Sequence, residues 1–291
     1  MNYRVEIPIR WADLDPQGHV NNVRLVDYTQ EARARFLVGY EAARLLVQGC
    51  IMVNQQVEYL RPVRFSRQPL VVDISCTQVG AARFWLEYAV HESEELVARV
   101  RTVMCPYDFA SSSLRRLTDE ERRLLHNFDG PAGDFRSLPD ARLGVDAPST
   151  PVWARWSDCD VYGHVNNVAT LEWLQEARVA ITTQWDPALA RVGMGLAGED
   201  GRWLVARQDV DYLRELVWRV EPWLSRVAPV RLGNTSITLV AEVVDPATDV
   251  VHTRGRTVLV RADETGRPLP LPDETRAALS RLLVKPRAGH H

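Results

Sequence analysis

Lysine is almost missing from this chain. Lys285 is the only one among 35 Lys and Arg residues, which stand against 38 Asp and Glu for a formal charge of −3. With no basic excess there is no electrostatic footprint for nucleic acid. The arginines suit phosphate, which they can grip through two parallel N–H bonds. Cysteine is scarce too. Cys50, Cys76, Cys105 and Cys159 are scattered without a C-x-x-C pair. Neither a disulfide framework nor a zinc ribbon is encoded, and free thiols in a reducing, cytoplasmic setting are expected. Cys159 lies between two carboxylates, which raise a thiol and discourage a nucleophilic role. Long apolar runs are absent: nothing approaches the roughly eighteen residues of a membrane span, and Met1–Glu6 lacks an apolar signal core. What is left, 46% apolar and 25% charged over 291 residues, is ordinary globular composition with length for two domains.

Two domains are what the sequence spells out. Arg10-Trp11-Ala12-Asp13-Leu14-Asp15-Pro16-Gln17-Gly18-His19-Val20-Asn21-Asn22-Val23 recurs 145 positions later as Arg155-Trp156-Ser157-Asp158-Cys159-Asp160-Val161-Tyr162-Gly163-His164-Val165-Asn166-Asn167-Val168, with ten of fourteen positions identical. The register continues through Gln30-Glu31-Ala32-Arg33 and Gln175-Glu176-Ala177-Arg178. A block this specific, repeated without a gap, marks a duplicated domain.

The block reads as a loop, because Pro16 removes a donor and Gly18 breaks regularity. A helix should follow from Asn21 or Asn22 to Leu37, since Asn caps a helix by accepting from an orphan N–H. Leu25, Tyr28, Ala32 and Phe36 recur at helical spacing, as do Thr170, Trp173, Ala177 and Ile181. Carboxylates would then abut a helix N-terminus, whose N–H groups suit a carbonyl oxygen gaining negative charge. That pairing is the minimum kit for attack on an ester or thioester carbonyl. Simpler readings stand beside it. Asp before a helix is often only an Asx turn. A calcium loop needs Glu at its twelfth position, where this chain has Arg24 and Ala169. His19 and His164 have no second ligand at zinc-like spacing, so no metal is expected.

The block resembles the signature of hotdog-fold thioesterases of the 4-hydroxybenzoyl-CoA thioesterase type, a W-x-D-x-D-x-x-G-x-V loop leading into a long helix. Its His-Val-Asn-Asn ending is similar to bacterial acyl-CoA thioesterases and to acyl-ACP thioesterases, which are also tandem hotdogs. Gln56-Val57-Glu58-Tyr59-Leu60-Arg61-Pro62 and Asp209-Val210-Asp211-Tyr212-Leu213-Arg214 resemble the family's strand after the helix. The resemblance implies that Asp15 and Asp160 are the catalytic carboxylates, as nucleophile or as base for water. It adds His19 and His164. The Asn that accompanies them in acyl-ACP thioesterases is Gln17 and Tyr162 here. N–H groups around Gly18, Val20, Gly163 and Val165 would polarise the carbonyl. Asp13, Asp158, Asn21, Asn22, Asn166 and Asn167 would brace the loops. Asn54, Gln55, Arg207 and Gln208, on the strand after each helix, are pocket candidates. So are Glu31 and Glu176 on the helices, although a solvated or ion-paired role, with Arg35 four positions after Glu31 as a partner, is the favoured reading.

In chain order the reading is α+β: two tandem hotdog domains, residues 1–128 and 152–287, joined by a Pro- and Gly-rich linker at 129–151. Each has a long central helix wrapped by about five antiparallel strands, and together they form an internal pseudo-dimer. The expected strands are Val5–Arg10, Ile51–Tyr59, Pro69–Gln78, Ala82–His91 and Leu96–Tyr107, then Trp203–Leu213, Val217–Val227, Ser236–Val244 and Val250–Arg261. Leu117–His126 and Thr275–Leu283 read as closing helices, and Asp186–Arg202 as a lid or extra loop. The implied activity is hydrolysis of acyl-CoA, with acyl carrier protein as the other thioester partner and no cofactor beyond the coenzyme A of the substrate. No nucleic acid or membrane is expected, and further pairing of the double unit stays open. The alternatives are a hotdog hydratase or dehydratase, and a non-catalytic acyl-CoA-binding module.

Overall fold

The computed structural model describes residues 2–39, 45, 49–160, 163–186, 189 and 201–285. The lid reading of Asp186–Arg202 and the position of Tyr162 lie largely outside them. The chain divides into two compact units, Met1–Arg136 and Ser137–His291.

The first unit runs β1 (Tyr3–Ile7), a single 3-10 turn (Trp11–Asp13), α1 (Asn22–Gly39), β2 (Cys50–Tyr59), β3 (Leu70–Val79), β4 (Phe84–Glu92), β5 (Glu95–Asp108), a short β6 (Ser113–Leu114) and α2 (Asp119–His126). Its sheet has the order β1-β3-β4-β5-β2, antiparallel throughout. β1 stops before Pro8, which has no N–H to give to a ladder, rather than at Arg10. β3 buries Leu70, Val72, Ile74 and Cys76, and β4 buries Phe84, Leu86, Tyr88 and Val90. This period of two points one face at the core. On β5 the alternation holds through Ala98, Val100, Thr102 and Met104. Arg99 and Arg101 on its other face pair with Glu58 and Glu87. α1 buries Val23, Val26, Tyr28, Ala32, Phe36 and Leu37, and Phe36 meets Phe128 edge to face at 4.8 Å. α2 opens with a capping box: Thr118 accepts from the Glu121 N–H, and Glu121 from the Thr118 N–H.

The second unit repeats this plan with β7 (Ser149–Val152), a 3-10 turn (Trp156–Asp158), α3 (Asn167–Trp185), β8 (Arg202–Tyr212), β9 (Trp223–Leu232), β10 (Ser236–Asp245), β11 (Val250–Ala262) and α4 (Asp273–Ser280). The order β7-β9-β10-β11-β8 matches the first sheet strand for strand. β9 lies several residues beyond the expected Val217–Val227. The apolar run at Val217 pairs with His164 in the loop instead. Pro229, which would argue against a central strand, is tolerated where the β9–β10 register slips by one residue.

The segment read as a linker is bound to both sheets along its length. Gly130 donates to the Cys76 carbonyl, and Gly133 to Glu87 at 2.8 Å. Further on, Leu143 donates to Glu242 at 3.2 Å. Ala141 and Leu143 form an apolar cluster with Ala228, Val230 and Val240. That cover explains why β10 is buried on both faces and reads as a nearly continuous apolar run. β7 begins inside the same segment, at Ser149.

Candidate active site

Each repeated block folds into the same small device. In the first unit Asp13 closes the 3-10 turn. Its Oδ2 accepts from the Tyr28 hydroxyl at 2.7 Å, and its carbonyl accepts from the Asn21 N–H at 2.9 Å. Burial, reinforced by this bond, pushes the Tyr28 phenol up to about 12, so it stays a donor. In the second unit Trp173 replaces Tyr28: its Nε1 donates to Asp158 Oδ2 at 3.2 Å, and the Arg155 N–H donates to the same oxygen. Two unlike side chains thus perform one task, hanging the loop on the following helix. Tyr28 and Trp173 look like core residues in the helical stripe, and only their polar tips could have signalled this second role.

The second Asp of each block sits at the bend. Asp15 and Gly18 close a tight turn by a 2.9 Å bond from the Gly18 N–H to the Asp15 carbonyl, with Gly18 at φ +78°. Gly163 has the same φ. That left-handed conformation needs glycine. Asp15 Oδ1 accepts from the N–H of Gln17 at 2.8 Å and of His19 at 3.1 Å. No hydrogen bond falls on Asp15 Oδ2 among the described residues. Asp160 Oδ1 likewise accepts from the His164 N–H at 3.2 Å.

These bonds correct the expectation for the oxyanion donors. The N–H groups of Gly18 and Val20 are given to Asp15 and Val63, and those of Gly163 and Val165 to Asp160 and Leu216. They cannot also face a substrate carbonyl. Asn21 and Asn166 cap the helices, their Oδ1 accepting from Val23 at 2.9 Å and Val168 at 2.8 Å. The N–H groups of Asn22 and Asn167, at the first helical turn, have no protein acceptor among the described residues. Their carbonyls accept from the hydroxyls of Tyr59 and Tyr212, so these two Asn tie the loop through backbone rather than side chain.

The histidines differ. His19 is buried, whereas His164 is half-exposed with its Nε2 3.3 Å from Glu215 Oε2. The Glu215 backbone is held in turn, its carbonyl accepting from His252 Nδ1 at 2.7 Å. The first unit has Pro62 at the matching place in its Leu60-Arg61-Pro62 segment. Sequence reasoning passed over Glu215; the comparison of Leu213-Arg214-Glu215 with that segment carried the signal. At Cys159, burial first and the flanking Asp158 and Asp160 second raise the thiol, which keeps it protonated and unreactive.

A family model for the thioesterase-like superfamily matches residues 9–136 and again 154–279. The chain belongs to the thioesterase-like superfamily. No curated protein sequence matches it significantly. Among solved structures it is similar to a Lactobacillus plantarum protein provisionally named oleoyl thioesterase, at 12% identity and TM-score 0.71, covering 91% of this chain and 98% of that one. It is also similar to the 12:0-ACP thioesterase of Umbellularia californica, at 16% identity and TM-score 0.68, covering 89% and 97%. An acyl-ACP thioesterase of Bacteroides thetaiotaomicron follows at 12% identity and TM-score 0.64, covering 89% and 97%. At these identities the likeness establishes the fold, a double hotdog.

The remaining pocket candidates of this thioesterase-like chain separate on inspection. Asn54 and Gln55 follow a β-bulge where the β2–β5 register skips Val53, and Arg207 and Gln208 follow the matching bulge where β8–β11 skips Ala206. Bulges re-aim side chains and recur beside functional sites. Gln55, Arg207 and Gln208 are buried, and Arg207 forms a two-bond pair with Asp209 at 2.8 and 3.0 Å. Glu31 and Glu176 belong elsewhere. Both are exposed on their helices, and Glu31 is taken by Arg35 at 2.7 Å. An exposed i,i+4 ion pair is a surface feature, so neither Glu serves as a pocket carboxylate.

Proposed function

We propose that the chain hydrolyses acyl thioesters, with Asp15 and Asp160 as the carboxylates that activate water. The observation that carries this reading is the fixed carboxylate at a helix start. Asp15 Oδ1 is pinned by two backbone N–H groups, while its second oxygen is left for chemistry. In the mechanism the carboxylate takes a proton from water, and the hydroxide oxygen adds to the thioester carbonyl carbon. The developing oxyanion is met by the Asn22 or Asn167 N–H and the helix dipole. Collapse of the tetrahedral species breaks the C–S bond. The thiolate departs with a proton delivered through the carboxyl group or, in the second unit, through the imidazole of His164. Thiolates are good leaving groups, so little acid catalysis is required. The 3.3 Å approach of Glu215 orients that imidazole. Acyl-CoA is the proposed carrier, with acyl carrier protein thioesters as the second substrate to be assayed. The test is thiol release from a panel of acyl-CoAs and acyl carrier protein thioesters by wild type, Asp15→Asn, Asp160→Asn and the double variant. Release that disappears only in the double variant supports two working carboxylates. Undiminished release by the double variant refutes the assignment.

A further inference from the structure

The N–H groups given to the oxyanion, those of Asn22 and Asn167, belong to the first turn of a helix, a part that frays readily. Such a donor helps the reaction only if it is in place beforehand. The Asn21 and Asn166 caps bind the turn to its own neighbours in the chain. They do not set its position against the carboxylate, which takes a contact from outside loop and helix.

One short segment makes that contact in each unit. At the end of β2 the Tyr59 hydroxyl donates to the Asn22 carbonyl at 3.2 Å. Just beyond, the Val63 carbonyl accepts from the Val20 N–H at 2.8 Å, and Arg64 forms a backbone bridge with His19. The His19 carbonyl in turn accepts from the Asp15 N–H at 2.7 Å. The Tyr59–Arg64 segment is thus bonded to the carboxylate's loop and to the donor's helix at once. The second unit repeats the arrangement. Tyr212 donates to the Asn167 carbonyl at 3.3 Å. The Leu216 carbonyl accepts from the Val165 N–H at 2.7 Å, and Val217 bridges to His164. Tyr59 stands 37 residues after Asn22, and Tyr212 stands 45 after Asn167. The same bond forms across connections of different length, so it does not depend on the local run of the chain.

We propose that Tyr59 and Tyr212 are positioning residues for the hydrolysis, each holding the helix N–H that receives the oxyanion in register with the carboxylate of its own unit. This rests on the thioesterase reading above. The carbonyl of a first helical residue already has the N–H four residues on as its donor. The tyrosine bond uses its second lone pair, so it adds direction where no unmet acceptor calls for it. Phenylalanine would keep the ring and remove the link.

The experiment puts Tyr59→Phe into the Asp160→Asn background and Tyr212→Phe into the Asp15→Asn background, each of which leaves one unit working, with dodecanoyl-CoA as substrate. In both, kcat should fall roughly ten- to a hundredfold while KM stays within about twofold. Two inhibitors separate positioning from packing. An α,α-difluoroketone analogue of dodecanoyl-CoA, whose carbonyl hydrates to a tetrahedral species, should lose affinity in step with kcat/KM. S-dodecyl-CoA, a thioether without a carbonyl, should bind as before. An unchanged kcat overturns the proposal, and so does an equal loss of affinity for both inhibitors. Amide hydrogen exchange reads the tether without catalysis, at the Leu25 N–H on the Asn21 carbonyl and the Thr170 N–H on the Asn166 carbonyl. Tyr59→Phe should speed exchange at Leu25 and leave Thr170 alone, and Tyr212→Phe the reverse. If even the wild type releases no thiol, the hydrolase reading fails by itself; faster exchange then still supports the tether, and unchanged exchange overturns it.

Discussion

At the scale of single residues, the two copies of one motif have been put to slightly different use. Asp15 and Asp160 share a turn, a backbone clamp and a helix start, but His164 has Glu215 within reach where the first unit has Pro62. In an Asp15→Asn background, His164→Ala should lower kcat by roughly a hundredfold, the lower end of acid–base contributions. Glu215→Gln should give a smaller loss of kcat in the same background, because the imidazole keeps its place but loses the partner that orients it. The water route has its own check. Single turnover in ¹⁸O-water should place label in the released acid and none in Asp15 or Asp160. Label recovered in either aspartate would mean direct attack and an anhydride.

At the scale of elements, loop and helix hold each other. Asn166→Ala removes the acceptor for Val168 and should cost about 1 kcal/mol in urea unfolding. The β10–β11 hairpin offers a pH test. The Ala247 N–H first, then Arg219, lower the Asp245 carboxyl below its usual range. A depressed carboxylate contributes stability above its unfolded pKa and loses it as pH falls through the folded value. The Tm difference between wild type and Asp245→Asn should therefore be largest near neutrality and vanish in acid. A difference that persists unchanged in acid would remove the electrostatic explanation.

At the scale of the whole molecule, one segment stabilises two sheets in the same way. Glu87 accepts from Gly133, and Glu242 from Leu143; each is paired with an arginine of the next strand, Arg101 or Arg254. Glu242 is fully buried. Glu242→Ala would leave the Leu143 N–H without its acceptor and Arg254 with only its longer contact to Asp140, and should cost about 3 kcal/mol, measured as a fall in the urea midpoint. Glu87→Ala, at a partly exposed pair, should cost less.

The sequence alone determined the duplication, the α+β order of elements and the loop-then-helix that carries the acidic pair. These are local properties. A repeat is visible by inspection, a Pro–Gly break and an Asn cap act on their own neighbours, and burial on one face leaves a period in the strand. Tertiary structure decided what the polar groups are committed to. The N–H groups of Val20 and Val165 looked available until Val63 and Leu216, more than forty residues away, took them. Glu31 had two readings along the chain, a pocket acid and a partner for Arg35, and its helix turned it outward to Arg35. Glu215 lay outside the motif, and its link to His164 depends on how the Leu213–Val217 segment pairs with the loop. Arg33 read as one letter of a repeated tetrad. Its burial follows from what packs around it in space, which periodicity along the chain does not record.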